Sequence, residues 1–132
     1  MKTLVSVIIF GFFGFCSQER TITIIKVEIK KVDFELTSIV SISCDGFEKT
    51  FQKEIETIVI TDAKRIDSFS KIVDGLKQDQ ENYTPDVRAK ILVHYSNGKM
   101  DTICLSDIGI LLNGKSFLGD ESLITFVSDL KR

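Results

Sequence analysis

The sequence predicts an α+β fold, in which an antiparallel sheet built from successive hairpins carries two helices on one face. Segments with alternating apolar and polar residues are joined by Asp-Gly or Asn-Gly steps, which favour tight hairpin turns because both residues tolerate positive φ. Two other stretches have apolar residues at helical spacing. The strands come in runs and do not alternate singly with helices, which favours antiparallel over parallel pairing.

The length and composition of the chain indicate a single globular domain. A chain of 132 residues has room for a single core. Its composition, 43% hydrophobic and 27% charged, is too apolar for intrinsic disorder. The net charge of −2 provides no basic footprint for DNA or RNA. We therefore predict no nucleic-acid partner.

Residues 1–16 have the features of a signal peptide. Lys2 supplies a positive charge, and the apolar stretch from Leu4 to Phe15 follows it. That stretch is shorter than the ~20 residues that a membrane-spanning helix needs. The sequence therefore predicts a signal peptide over 1–16 and a single exported α+β domain over 17–132.

Cys16 leaves two kinds of export open. Gly14 and Cys16 are the small residues that ordinary signal cleavage before Ser17 requires, and the product would be periplasmic or secreted. A Cys directly after the apolar run also resembles a lipobox, in which Cys16 would be lipidated and would anchor the domain to a membrane. The bulky Phe15 departs from that pattern.

The first strands are predicted between residues 21 and 51. Alternation over 25–29 slips by one residue at Lys30-Lys31 and resumes over 32–36, which indicates a bulge or a turn between two strands. Residues 39–51 centre on Asp45-Gly46 and predict a hairpin. That hairpin sets two pairs of residues opposite each other: Cys44 with Phe47 and Val40 with Phe51.

A strand and a helix follow. Residues 55–60 form a compact β-branched run, and Asp62 is a suitable N-cap for a helix over 62–77. The apolar positions of that helix recur on one side. Residues 78–86 are polar, contain the only proline of the chain and are predicted to be a loop.

The second half predicts two more hairpins and a final helix. Asn97-Gly98 joins strands over 87–96 and 99–106, and Asn113-Gly114 joins two shorter strands. Asp120 is expected to cap a helix over 120–131. Counting outward from a two-residue turn at 97–98 sets residues opposite each other in these pairs: Tyr95 with Met100, Val93 with Thr102, Ile91 with Cys104, His94 with Asp101 and Leu92 with Ile103.

The pair of His94 and Asp101 is the main candidate for catalysis, and one of the cysteines is the other, although no basic residue is placed by the sequence to lower the pKa of its thiol. His94 is the single histidine, and a carboxylate beside it would orient it as a general base. No nucleophile motif accompanies the pair, so the competing interpretation is a polar pair on the solvent side of a hairpin. The chain contains no spacing of metal ligands and no glycine-rich phosphate loop. We predict no metal and no cofactor.

Cys44 and Cys104 remain after export. In an oxidising compartment such an even pair favours a disulfide, and the alternative is two buried free thiols. The predicted function is that of a small exported, non-enzymatic domain, accessory or inhibitor-like, which binds a protein or an envelope component. The edges of an antiparallel sheet suit strand addition. The alternative is a small hydrolase-like envelope enzyme using His94 with Asp101. A membrane is expected as a partner only through a lipid on Cys16.

Overall fold

The described part of the chain is a mixture of strands and helices. A computed structural model describes residues 21–81 and 85–131, and the predicted signal segment 1–16, with Cys16, lies outside them. The described elements are, in chain order, β1 Ile24–Lys31, α1 Phe47–Thr50, β2 Glu56–Ile60, α2 Ala63–Asp74, β3 Ala89–Tyr95, β4 Met100–Leu105, β5 Gly109–Leu112, β6 Lys115–Leu118 and α3 Glu121–Asp129.

The six described strands form one open antiparallel sheet in the order β2-β1-β3-β4-β5-β6. Helices α2 and α3 cover one face. Phe69 of α2 and Leu123 and Val127 of α3 are fully buried against the strands, and each such side chain contributes about 1.5–3 kcal/mol when it leaves water. The predicted α+β class, with two helices packed on one face, is confirmed.

Both predicted N-caps are present. The Asp62 carboxylate accepts from the Arg65 N–H at 3.0 Å, and that of Asp120 accepts from the Leu123 N–H at 2.9 Å. These bonds satisfy amides that a first helical turn leaves free. Helix α2 ends at Asp74, three residues earlier than predicted, and α3 ends at Asp129, two residues earlier.

Lys31 holds the carboxyl end of α3 against the sheet. Its side chain is buried, and its Nζ donates to the carbonyl oxygens of Val127 at 2.9 Å, Ser128 at 3.1 Å and Leu130 at 2.6 Å. The final carbonyls of a helix have no partners within the helix and carry its negative dipole end. The ammonium therefore serves as a cap supplied from β1.

A second, smaller core lies on the other face of the sheet. Residues 32–55, here called the cover segment, lie across one end of that face. Phe47 and Phe51 of this segment are buried there with Cys104 of β4. Their rings meet edge to face with centroids 5.6 Å apart, a geometry that adds to the burial itself. The described residues leave the other end of this face uncovered.

An ion pair between the buried Arg88 and the partly exposed Asp86 fastens the cover segment. Arg88, 5% exposed, donates to both carboxylate oxygens of Asp86 at 2.9 Å and, through its Nε, to the carbonyl of Leu36 at 2.8 Å. Asp86 also accepts from the Ile42 N–H at 2.8 Å. Burial alone would raise the pKa of Asp86, but the hydrogen bond from Ile42 and the Arg88 guanidinium outweigh it and lower that pKa.

The hairpin predicted at Asp45-Gly46 is wrong. Residues 44–46 form a turn that leads into α1, and Gly46 has φ −84°, so it does not use the positive φ of a tight hairpin. The physical reason is the spacing of Phe47 and Phe51, because residues four apart share one side of a helical turn and both rings are thereby buried. The predicted pairs of Cys44 with Phe47 and of Val40 with Phe51 do not exist.

The slip at Lys30-Lys31 marks the end of β1 and not a junction between two strands. After Lys31 the chain leaves the sheet, and the Asp33 side chain accepts from the Glu35 N–H at 2.9 Å in a local turn. The bulge of β1 lies at the other end, between Ile24 and Lys26. The second strand predicted over 32–36 is therefore wrong.

Both Asn-Gly hairpins exist, with different turns. Asn113 and Gly114 have φ +50° and +80°, as a two-residue turn requires. At the other hairpin only Gly98 has positive φ, and the Tyr95 N–H donates to the Lys99 carbonyl at 3.0 Å. That loop therefore has three residues, and every pair predicted between β3 and β4 is displaced by one.

Candidate functional site

The longer turn places His94 and Asp101 on opposite faces of the sheet. Asp101 pairs with Val93, which is buried in the core under the helices, and His94 pairs with Met100. Residues that lie directly opposite share a face and neighbours along a strand do not. The predicted pairing of His94 with Asp101 is therefore wrong, and the geometry that the enzymatic alternative required is absent.

Asp101 instead joins two hairpins on the helix-covered face. It accepts from the Tyr95 hydroxyl at 2.7 Å and from the Asn113 amide at 2.8 Å. Burial and then the hydrogen bond and charge of Asp101 raise the pKa of Tyr95 to about 12, since each opposes a negative phenolate. This arrangement holds the hairpin ends together.

His94 lies on the face that the helices leave free. Its Nε2 is buried, is 3.8 Å from a carboxylate oxygen of Glu28 and has no hydrogen-bond partner among the described residues. Ser96, the nearest serine or threonine along the chain, accepts from the Thr23 N–H at 3.1 Å. Residues 21–81 and 85–131 hold no group of three or more His, Cys, Asp or Glu placed to bind a metal ion.

The uncovered half of this face has two well-exposed apolar side chains. Val59 of β2 is 54% exposed and Met100 of β4 is 50% exposed. Between them lie the half-buried side chains of the intervening strands. We call this surface the open strip, and it consists of Lys26, Glu28, Val59, Leu92, His94, Met100 and Thr102.

A groove of about 660 Å³ lies where the open strip meets the cover segment. Its apolar lining residues are Leu92, Met100 and Leu111, and its polar and charged lining includes Glu48 of α1 and the Asn113-Gly114 turn. The groove is therefore partly apolar and partly polar. Such a surface suits part of a polypeptide better than a small molecule, which prefers an enclosed cavity.

Glu48 holds α1 on the sheet by its charge. Its carboxylate lies 3.4 Å from the Lys30 ammonium and 3.3 Å from the Lys90 ammonium. Burial would raise the pKa of Glu48, but the two lysines, Lys90 above all, lower it. The glutamate therefore stays ionised, and its charge is balanced within the fold.

Cys44 and Cys104 meet at the rim of the groove. Their sulfur atoms lie at disulfide-bonding distance, and their Cα atoms are 5.7 Å apart, inside the range that a disulfide spans. Cys104 is fully buried in β4, and Cys44 lies in the turn before α1. The sequence left open whether the two cysteines approach each other, and the structure places them at disulfide-bonding distance. Cys44 reaches β4 from a turn and not from the predicted hairpin strand.

The two edges of the sheet differ. At β6 the Leu118 N–H donates to the Lys77 carbonyl at 2.8 Å, and the Asp79 N–H donates to the Ser116 carbonyl at 3.0 Å. At β2 no described strand or loop pairs with the outer edge. The strand β2 contains no Lys or Pro, residues that commonly protect an exposed edge, and its one charged residue is Glu56 at its beginning.

A cavity of about 450 Å³ adjoins β2 on the open side, next to α1. Lys49 and Gln52, both exposed, contribute to it together with Thr57 of β2. Sequence reasoning missed this site because it treated residues 47–51 as a strand. The spacing of Phe47 and Phe51 by four residues was the signal that indicated a helical turn.

Comparison with known proteins gave no matching family model, no similar curated protein and no similar solved structure. Within residues 21–81 and 85–131, none of the helices has the length and apolar character needed to cross a membrane.

Proposed function

We propose that this chain is an exported, non-enzymatic domain that binds a partner polypeptide by adding an extended segment of it to β2. The observation that carries the proposal is the contrast between the edges, because β6 is bridged by residues 77–79 and β2 has no partner among the described residues. The free N–H and C=O groups of an edge strand pair with an incoming strand whatever its side chains are.

The side chains of β2 support this use. Val59 presents an apolar surface that is 54% exposed, and the neighbouring Thr57 is small and uncharged. An incoming strand that covered Val59 would gain the free energy of removing apolar surface from water, roughly 25 cal/mol per Å². Glu56, at the beginning of β2, is its only charged residue.

The partners of the titratable groups support a non-enzymatic role. The carboxylates of Asp86 and Asp101 accept hydrogen bonds from groups that fasten the cover segment and the hairpins. Glu48 is held between two lysines. Each of these carboxylates stabilises the fold and already has hydrogen-bond or ion-pair partners within it.

Two features support export. Residues 1–16 have the composition of a signal peptide. The Cys44–Cys104 pair is placed to form a disulfide, the state that an oxidising compartment maintains. The domain is then periplasmic or secreted if Cys16 is removed, and anchored to a membrane if Cys16 is lipidated.

Selection from a displayed library of random peptides tests the binding proposal, with Val59→Lys as the edge variant. Met100→Lys is the matched control, because Met100 is about as exposed and lies on the same face but on a central strand. We expect peptides selected by the native domain to bind Met100→Lys unchanged and to lose affinity for Val59→Lys. Peptides that lose affinity only for Met100→Lys would place binding in the groove and overturn strand addition.

A further inference from the structure

We infer that the partner segment carries an acidic residue, which enters the cavity beside Thr57, and an apolar residue two positions away, which packs on Val59. The inference rests on the proposed addition of a strand to β2. It goes further by stating the chemistry of the partner.

Strand pairing determines the face of the sheet to which the partner's side chains point. A residue directly opposite another on a neighbouring strand points to the same face, with Cβ atoms about 4.5–5.5 Å apart. Thr57 and Val59 both point to the open side, because they pair with Lys30 and Glu28 of β1. The two partner residues opposite them therefore also point to the open side and are two positions apart.

The cavity beside Thr57 is lined by more positive than negative side chains. Its charged lining residues are Lys30, Glu48 and Lys49. The Glu48 carboxylate is already balanced by Lys30 at 3.4 Å and by Lys90 at 3.3 Å. Lys49 forms no ion pair with any described residue, so the cavity presents an excess of positive charge to an incoming side chain.

The cavity is shallow and open to solvent. Its volume of about 450 Å³ lies between β2 and the turn that follows α1, where Gln52 is exposed. A carboxylate there can accept from the Lys49 ammonium and from the Gln52 amide. Ile55 also lines the cavity, but an apolar side chain at this position would leave both donors to water, whereas the position over Val59 offers it an apolar surface.

The direction of the partner strand fixes the order of its residues. In a segment parallel to β2 the acidic residue precedes the apolar residue, and in an antiparallel segment it follows. A second copy of this chain that pairs through β2 about Ile58 does not supply the acidic residue, because this register sets Thr57 opposite Val59. No acidic residue would then enter the cavity.

The test is a comparison of peptides selected from one displayed library by three proteins: the native domain, Lys49→Glu and Lys115→Glu. Lys115→Glu is the control, because it makes the same charge change on the covered edge strand β6. We expect the native domain and the control to enrich an acidic residue two positions from an apolar residue. Lys49→Glu should instead enrich Lys or Arg at the same position.

Individual peptides sharpen the comparison. Replacing the acidic residue of a selected peptide with Lys should weaken binding to the native domain by roughly fivefold, as expected for a partly exposed ion pair, and Lys49→Glu should restore it. Should Lys49→Glu fail to fold, Lys49→Gln takes its place and should show no charge preference.

The outcomes separate the two proposals. If Val59→Lys weakens the binding of the selected peptides but the peptides show no charge preference, this inference is overturned and strand addition remains. Selected peptides that are insensitive to Val59→Lys would overturn both. A native domain that forms dimers through β2 and selects no peptide would overturn the acidic partner in favour of a second copy.

Discussion

The carboxylate of Asp101 accepts a hydrogen bond of 2.7 Å from the hydroxyl of Tyr95, on the face of the sheet that the helices cover. His94, which the sequence pairs with Asp101, lies on the other face. One extra residue in the turn at Gly98 produces this exchange. Asp101 therefore stabilises the fold in a place where an orienting carboxylate was predicted.

This hydrogen bond predicts a dependence of stability on alkaline pH. The pKa of Tyr95 rises from 10.0 to about 12 in the folded protein. Its stabilising contribution is therefore complete below about pH 10 and is lost as the pH rises through about 12. Urea unfolding across this range should show a loss that Tyr95→Phe lacks. An equal loss in both proteins would contradict the assignment.

Asp86 predicts the opposite dependence, at acidic pH. Its pKa lies below the usual 3.8, so its contribution is present above that value and is lost as the pH falls through the lower, folded value. At neutral pH we expect Asp86→Asn to destabilise the domain by about 1–3 kcal/mol, since Arg88 is left buried without its counter-charge; this is less than for a fully buried pair, because the Asp86 side chain is 38% exposed. Urea unfolding should show the difference shrinking in acid.

The control for Asp86 is Asp107→Asn, at an exposed position. It should leave the free energy of unfolding nearly unchanged at every pH. A difference between the native protein and Asp86→Asn that stays constant into strong acid would contradict the pKa assignment.

The cysteine pair predicts a large effect of reduction. A bond between Cys44 and Cys104 closes a loop across 60 positions, for which the chain-entropy estimate is roughly 4 kcal/mol. Urea unfolding with and without a dithiol reductant measures the effect. Hydrogen exchange should also accelerate in the cover segment. A protein whose stability and exchange are the same under both conditions would show that the two thiols are free.

The amino-terminal segment predicts the mass of the exported protein. Intact-mass spectrometry of the protein from the membrane and soluble fractions of its native cells distinguishes the two forms. Cleavage before Ser17 gives a soluble chain, and lipidation gives a membrane-bound chain that begins at an acylated Cys16. Recovery of only the full 132 residues would contradict export by a cleaved signal.

Features with local causes could be predicted from the sequence. Asp62 and Asp120 cap their helices because a carboxylate satisfies free amides wherever a helix begins. The turn at Asn113-Gly114 follows from the positive φ that both residues tolerate. The turn at Asn97-Gly98 was predicted at the right place but with the wrong length. Its loop has three residues and positive φ only at Gly98, and the Asn-Gly pattern does not distinguish this loop from a two-residue turn.

Features that depend on distant parts of the chain could not be predicted. At Asp45-Gly46 the local preference for a hairpin is outweighed by the burial of Phe47 and Phe51 with Val87 and Cys104. The outer edge of β2, which no described residue pairs with, follows from the order of the strands, and its contrast with β6 follows from the bridge between Gln78 and Phe117. Both features depend on tertiary contacts and on the order of the strands, and the candidate site depends on both features.

Amide hydrogen exchange of the domain, with and without a selected peptide, tests the central claim most directly. If the peptide adds a strand to the sheet, alternate amides within Glu56–Ile60 point to the new strand, and their exchange should slow when the peptide binds. The amides around Met100 and Thr102, at the groove, should exchange as before. Slowed exchange at the groove with β2 unchanged would contradict the account.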